Sequence, residues 1–224
     1  MSHRQVSVNG YESKEEWSTV QHVESYLNIA NDIPHRSEGE GILLEYVPLD
    51  AKRILDLGTG DGRLVKLLKR DRPHLQAVAL DISPAMLKMA RDYFADDYRV
   101  KLVEHDLSYP LPELGLFDAV VSSFAIHHLT HKRKRSLYSE VFGILNPAGI
   151  FCNLEHVASP TAGLRERFLT EIGAKLSKFV KEDKSNKLLA MGTQLCWLRE
   201  IGFIDVDCYW KWLELALLVG IKSQ

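Results

Sequence analysis

An apolar run that passes directly into three glycines at alternate positions leaves a chain few ways to fold. Residues 53–64 read RILDLGTGDGRL, with Gly58, Gly60 and Gly62 following Ile54, Leu55 and Leu57. Leu64, Val65, Leu67 and Leu68 then recur at helical spacing, so the unit reads strand, glycine loop, helix. Such a loop brings backbone N–H groups close to a ligand at the carboxyl end of a strand in an open parallel sheet. The downstream pattern extends that sheet. Residues 77–80, 100–103, 119–122 and 150–154 read as four more short strands, and Ser83-Pro84 opens a helix with Ser as cap and Pro at its first position. Leu137, Tyr138, Val141, Phe142 and Leu145 form another helical stripe, broken by Asn146-Pro147-Ala148-Gly149. Alternating strands and helices predict a parallel sheet covered on both faces. Residues 203–224 carry two adjacent β-like runs with a short join, a terminal hairpin that sets one strand antiparallel.

Charge and composition narrow the class of partner. The chain has 224 residues, 46% hydrophobic, with 28 Lys and Arg against 30 Asp and Glu. A net charge of −2 gives no general pull toward nucleic acid or an anionic membrane. No apolar stretch approaches the ~18 residues of a membrane span, and the polar N-terminus lacks a signal-peptide core. Cys152, Cys196 and Cys208 are odd in number and have no metal-ligand spacing, so they read as reduced thiols of a cytoplasmic protein, and no metal is expected. The one dense basic run, HKRKR at 131–135, lacks interleaved aromatics and reads as a solvated helix start; nucleic acid is an unlikely partner.

Two acids define the ligand of the loop. Asp81 ends the second strand, where a carboxylate accepts both hydroxyls of a ribose. A dinucleotide fingerprint places its third glycine three residues after the second; here that position is Arg63. Asp56 and Asp61 beside the loop would repel phosphates but suit an ammonium and a sulfonium. That favours S-adenosylmethionine (SAM) over NAD.

The strings LDLGTGDG, ALDISPAMLKMA, VEHDLSYPLP, FDAVVSSFAIHHL and LNPAGIFCNLEH resemble the class I SAM-dependent methyltransferases, over residues 53–154. The resemblance implies a Rossmann-like α/β fold: a seven-stranded sheet in the order 3-2-1-4-5-7-6, strand 7 antiparallel, helices on both faces and an N-terminal helical lid. It divides one domain into a lid (1–50), a SAM-binding core (51–158), cap and terminal helices (159–202) and the hairpin (203–224). It assigns Gly58, Thr59 and Gly60, after Asp56, to the methionyl part. Asp81 goes to the ribose, Ile82 and Met86 flank the adenine, Asp106 and Leu107 hold its edge, and Ser123 lies near the amino group. In resembling enzymes the segment DIPHR folds over the cofactor, which offers Arg36 to the methionyl carboxylate.

The acceptor side is read from position alone. Residues beyond the fourth and fifth strands face the transferable methyl: Phe124, His127, His128, Glu155 and His156. A histidine there could take a proton from an oxygen or nitrogen acceptor. Glu155 and His156 either bind substrate or pair with each other. Trp17, Val20, Val23, Tyr26 and Leu27 form one side of an N-terminal helix that ends near DIPHR, which packs on the sheet edge or covers the ligand. Residues 160–180 read as one long amphipathic helix over the acceptor. Tyr26, Phe124 and Trp197 are taken as walls of that pocket. The expected activity is methyl transfer to a small-molecule acceptor with S-adenosylhomocysteine (SAH) as product. The rivals are an RNA or protein methyltransferase, a carboxy-SAM synthase-like enzyme and a non-catalytic SAM-binding protein. Aligning the GF endings places Trp197 where carboxy-SAM synthases carry an arginine, which argues for ordinary SAM.

Overall fold

The computed structural model describes residues 33–175 and 185–224. The stripe that includes Tyr26 and the far end of the 160–180 segment lie outside the described residues.

The first described helix, α1 (Arg36–Tyr46), begins where the sequence pattern ends one. Its inward face, Arg36, Gly39, Glu40 and Leu43, holds two charges and a glycine, so no apolar stripe announces it. A Cβ at Gly39 would stand 2.8 Å from the Trp210 ring, which fixes how closely α1 lies on the sheet. After α1 come β1 (Arg53–Leu57), α2 (Arg63–Asp71), β2 (Gln76–Asp81), α3 (Pro84–Tyr93), β3 (Val100–Glu104) and β4 (Phe117–Ser123). A short 3₁₀ turn (Ile126–His128) leads to α4 (His131–Ile144) and β5 (Leu145–His156). The chain closes with α5 (Ala162–Lys175), α6 (Met191–Ile201), β6 (Phe203–Trp212) and β7 (Leu215–Lys222).

The strands form one sheet in the order β3-β2-β1-β4-β5-β7-β6, the order expected. β1 to β5 pair in parallel, and β7 runs antiparallel between β5 and β6. Alternation of side chains builds two cores. Ile54, Ala119, Val121, Leu217 and Val219 face one layer with Leu43, Val65 and Leu68. Leu55, Leu57, Val120, Ala216 and Leu218 face the other, under Leu137, Tyr138 and Val141 of α4 and Leu195 and Leu198 of α6. The break at residues 146–149 ends the helix as expected, yet β5 already begins at Leu145, which pairs with Phe117 across an irregular register. Ala148 takes a positive φ of 61° there, and Asn146 Nδ2 donates to Asp118 Oδ1.

The basic run departs from expectation. It does start α4, with Thr130 as its cap, but only part of it is solvated. Arg133 donates to the carbonyls of Leu107 and Tyr109 and to Glu140, bracing the loop after β3. Lys134 is fully buried. Both replace the expected solvated face, because α4 packs against the sheet from its first turn.

Candidate active site

The glycines solve a packing problem. Gly58, Gly60 and Gly62 all have positive φ. A Cβ on Gly58 would lie 2.2 Å from that of Ala125, and one on Gly62 would lie 2.6 Å from the Phe94 ring. The loop donors are spent internally rather than offered to a ligand. Gly58 and Thr59 N–H both donate to Leu80 O, at 2.9 and 2.8 Å, and Gly62 N–H donates to Thr59 O. Gly60 N–H donates to Asp81 Oδ2 at 2.7 Å, while Ser83 N–H donates to Oδ1 at 2.8 Å. Asp81 thus ties the β1 loop to the start of α3 and keeps oxygen lone pairs for a further donor. Burial pushes its carboxyl pKa up, opposed by these backbone donors.

A cleft of about 1250 Å³, mouth included, opens at the carboxyl ends of β1, β2 and β4. Its walls bring together all the residues expected at the cofactor: Arg36, Asp56, Gly58, Thr59, Gly60, Asp81, Ile82, Met86, Asp106, Leu107 and Ser123. Phe124 and His128 continue the lining. Phe124, at φ 55°, hangs its N–H on Leu154 O at 2.8 Å and so turns the chain out of β4 over the cleft. Asp106 Oδ1 accepts from Ser108 N–H in a turn.

Deep in the cleft Asp56 is buried, and its Oδ2 has no hydrogen-bond partner. Burial pushes its pKa up to about 7, and Asp81, Glu40 and Asp61 add repulsion. An anionic cofactor would worsen this crowding; a cationic group would relieve it. The residues therefore fit SAM and not a dinucleotide. Sequence reasoning missed Glu40, which is buried beside them. It accepts from Arg36 Nε at 2.8 Å and from Arg63 Nε at 2.9 Å, joining α1 to the start of α2. Arg36 also lies 5.5 Å from the Phe124 ring centroid. The position of Arg63, where a dinucleotide loop has glycine, was the one available signal for this clamp.

The acceptor-side residues separate. His127 is buried, with Nδ1 2.8 Å from Glu155 Oε1. His128 lines the cleft and bonds to Ser185 Oγ through Nδ1 at 2.7 Å. The alternative in which Glu155 and His156 pair with each other holds only through the backbone, His156 N–H donating to Glu155 Oε1 at 2.8 Å, since successive β5 side chains point to opposite faces. His156 Nε2 lies 2.8 Å from Glu214 Oε2, and Glu214 also accepts from Ser159 and Arg165. Burial raises the Glu214 pKa, but these partners outweigh it and hold the carboxyl below its usual range. Trp197 is not in the pocket expected of it. It sits on α6 against His131, Lys132, Arg135, Ser136 and Ser139 of α4, because the inward stripe of α6 is Gln194, Leu195 and Leu198. Among the described residues no cluster suited to a metal ion occurs.

Sheet order and cleft are those expected of the class I SAM-dependent methyltransferase fold, and the residues that line the cleft fit SAM as cofactor. The sequence profile described as a methyltransferase domain matches residues 54–149. A demethylmenaquinone methyltransferase of Thermus thermophilus is 35% identical over 136 residues, 60% of this chain and 59% of that protein. The chain thus spans less than two thirds of that relative's length. A carboxy-S-adenosyl-L-methionine synthase of Campylobacter lari is 25% identical over 195 residues, 81% of each chain. The structure of an O-methyltransferase family protein from Burkholderia thailandensis matches with a TM-score of 0.74 at 18% identity, over 96% of this chain and 64% of that one. That match speaks for the fold. No helix among the described residues is long and apolar enough to cross a membrane.

Proposed function

We propose that the protein transfers the methyl group of SAM to a small, ring-bearing acceptor whose O–H or C–H gives up a proton. The observation that carries this reading is one continuous cleft. It runs from Asp81 and Asp106 to Phe124 and His128, with the buried His127–Glu155 pair behind its far end. Asp81 takes the ribose hydroxyls, and Asp106, Leu107, Ile82 and Met86 hold the adenine. Gly58, Thr59 and Gly60 shape the methionyl channel, while Asp56 and Ser123 attract the ammonium. Arg36, anchored by Glu40, faces the methionyl carboxylate. Bound SAM supplies an electrophilic methyl on a sulfonium. The chain contributes alignment, the larger part of such a displacement, and a proton acceptor, for which we take His127, held by Glu155 and next in sequence to the His128 that lines the cleft.

The Thermus relative makes a quinol the first acceptor to test. Purified protein is incubated with SAM and a short-chain demethylmenaquinol, alongside phenol and amine acceptors, and methylated product is read by mass spectrometry. Product with the quinol or a phenol is expected, and His127→Gln should lower kcat about a hundredfold with SAM affinity kept. Binding of SAM without transfer to any of these acceptors would overturn the proposal.

A second reading, synthesis of carboxy-SAM, is favoured by the 81% coverage of both chains in the Campylobacter comparison. Mass spectrometry of the ligand that co-purifies with the protein separates the two, and ordinary SAM or SAH is the expected mass.

A further inference from the structure

The turn that ends β4 spends backbone strain on a single side chain. Phe124 has φ 55°, a left-handed conformation that glycine takes freely and a bulky residue takes only where its surroundings impose it. Both neighbours impose it here. Phe124 N–H donates to Leu154 O at 2.8 Å, one step beyond the pairing of Ser123 with Leu154 that closes the β4–β5 ladder. Ala125, the next residue, is seated on the glycine loop, since a Cβ on Gly58 would lie 2.2 Å from its own. Glycine at 58 therefore makes room for the turn, and the turn fixes where the Phe124 ring goes. The ring lines the cleft, is nearly buried, and has the Arg36 guanidinium carbon 5.5 Å from its centroid. Arg36 is buried as well, and its Nε donates to Glu40 Oε1 at 2.8 Å. Glu40 is held in turn by Arg63, whose Nε reaches both oxygens at 3.0 and 2.9 Å and whose Nη2 reaches Oε2 at 2.8 Å.

We propose that Phe124 is a positioning residue for Arg36: the strained turn lays an aromatic face against the guanidinium and sets its tilt at the methionyl end of the cleft. A hydrogen bond at Nε locates a guanidinium but leaves its plane able to swing about that bond. A ring beside the cation restricts the swing, because the attraction acts over the ring face. The clamp that orients Arg36 then draws on three elements: Glu40 on α1, Arg63 on α2 and Phe124 at the end of β4. Its consequence is specificity. A ligand that carries an α-carboxylate gains from an Arg36 already in place, and a nucleoside without one does not. That consequence rests on the reading of Arg36 as partner of the methionyl carboxylate; the positioning itself does not.

The test reads Arg36 first without any ligand. ¹⁵N relaxation at Arg36 Nε is recorded for the full chain, its signal identified by loss in Arg36→Lys. The parent should show Nε as ordered as the backbone of α1. Phe124→Leu keeps an apolar side chain without a ring face and should make Nε mobile, while Phe124→Tyr should keep it ordered. Calorimetric titration then compares SAH with 5′-methylthioadenosine, which shares the nucleoside and the thioether but has no carboxylate. Phe124→Leu should weaken SAH about fivefold and leave 5′-methylthioadenosine unchanged. Arg36→Ala should weaken SAH at least about tenfold, and Phe124→Leu should add nothing to that loss. If Phe124→Leu fails to fold, Phe124→Gly removes the ring together with the strain, and the same readings apply. An Nε that stays ordered without the ring, an equal loss for both ligands, or losses that add to that of Arg36→Ala would overturn the proposal. SAH affinity retained in Arg36→Ala would instead overturn the carboxylate reading, and the relaxation data would still decide the positioning.

Discussion

The two ends of the cleft are built by different means. At the cofactor end, the acids that end or follow strands are held by nearby backbone, and Glu40 relies on side chains, those of Arg36 and Arg63. Asp81 accepts from Gly60 and Ser83, Asp106 accepts from Ser108, and each acid ends or follows a strand. At the acceptor end, side chains distant in sequence join in: Glu155 takes the N–H of its neighbour His156 but also His127, and Glu214 is held by His156, Ser159 and Arg165. The first construction comes with the strand–loop–helix unit itself. The second exists only once the sheet has closed, and either partner can change with the acceptor while the cofactor end stays intact.

The sharpest way to break the first construction is steric. Gly58→Ala forces a left-handed backbone on a residue with a Cβ, about 1–2 kcal/mol, and drives that Cβ into Ala125. Overpacking adds about 1–3 kcal/mol. Loss of measurable SAM binding by calorimetry, with a lowered unfolding midpoint, is expected. Retained affinity would show that the loop tolerates another path.

The second construction should fail with a different signature. Glu214→Gln leaves His156 and Arg165 without their buried carboxylate, a cost of about 3 kcal/mol that chemical denaturation measures at neutral pH. The folded carboxyl lies below its usual range, so its stabilisation is present above the ordinary carboxylate pKa and is lost as pH falls through the folded value. The parent should therefore lose more stability than Glu214→Gln on acidification below about pH 4. Parallel curves would remove the claim that Glu214 is held ionised. SAM affinity should be unaffected.

This contrast also explains what could be read from the chain beforehand. Asp81, Asp106 and the glycines announce themselves because a strand end followed by an acid or a glycine is a local pattern. The same local units predicted a parallel sheet with a terminal hairpin, whereas the strand order came from the family resemblance. Glu40 stayed hidden because its two arginine partners sit on different helices and α1 shows no apolar stripe. Lys134 looked like one charge in a basic run, and only the packing of α4 buries it. Of the two readings for Glu155 and His156, pairing of their side chains is not found because adjacency in a strand separates them, and only His156 N–H reaches Glu155. The glycine loop itself was found for a partly mistaken reason: its N–H groups serve β2 and Asp81.

Smaller effects sharpen the cofactor end. If Asp81 accepts ribose hydroxyls, Asp81→Ala removes charge-assisted bonds of about 1.5–3 kcal/mol each and should weaken SAM by at least about tenfold. An unchanged affinity in a folded variant would sink the ribose assignment. Asp56 gives a pH test. Its folded pKa of about 7 is raised above the unfolded value, so the folded state binds the extra proton and its stability falls as pH rises toward 7. A cationic ligand wants the ionised form, so SAM affinity should rise with pH up to about 7 and flatten above it, by at most tenfold per unit. Asp56→Asn should abolish that slope, and a slope that survives would assign it to another group.

The smallest effect expected is at Trp197, and it bears on which cofactor the cleft holds. Aligning the GF endings put this residue where the resemblance to carboxy-SAM synthases implies an arginine. In the fold it lies on the outer side of α6, with Arg135 5.9 Å from its ring centroid, among residues of α4 that do not line the cleft. An indole there can neither replace nor exclude a carboxylate partner, so that alignment no longer favours SAM over carboxy-SAM. Trp197→Phe keeps a ring against α4 and weakens a partly exposed cation–π contact of about 0.5–1 kcal/mol. For a chain of this size that lowers Tm by about 2–4 °C at most. SAM and SAH affinities, and the mass of the co-purified ligand, should be those of the parent. A changed affinity would place α6 at the cleft after all and return the choice of cofactor to that helix.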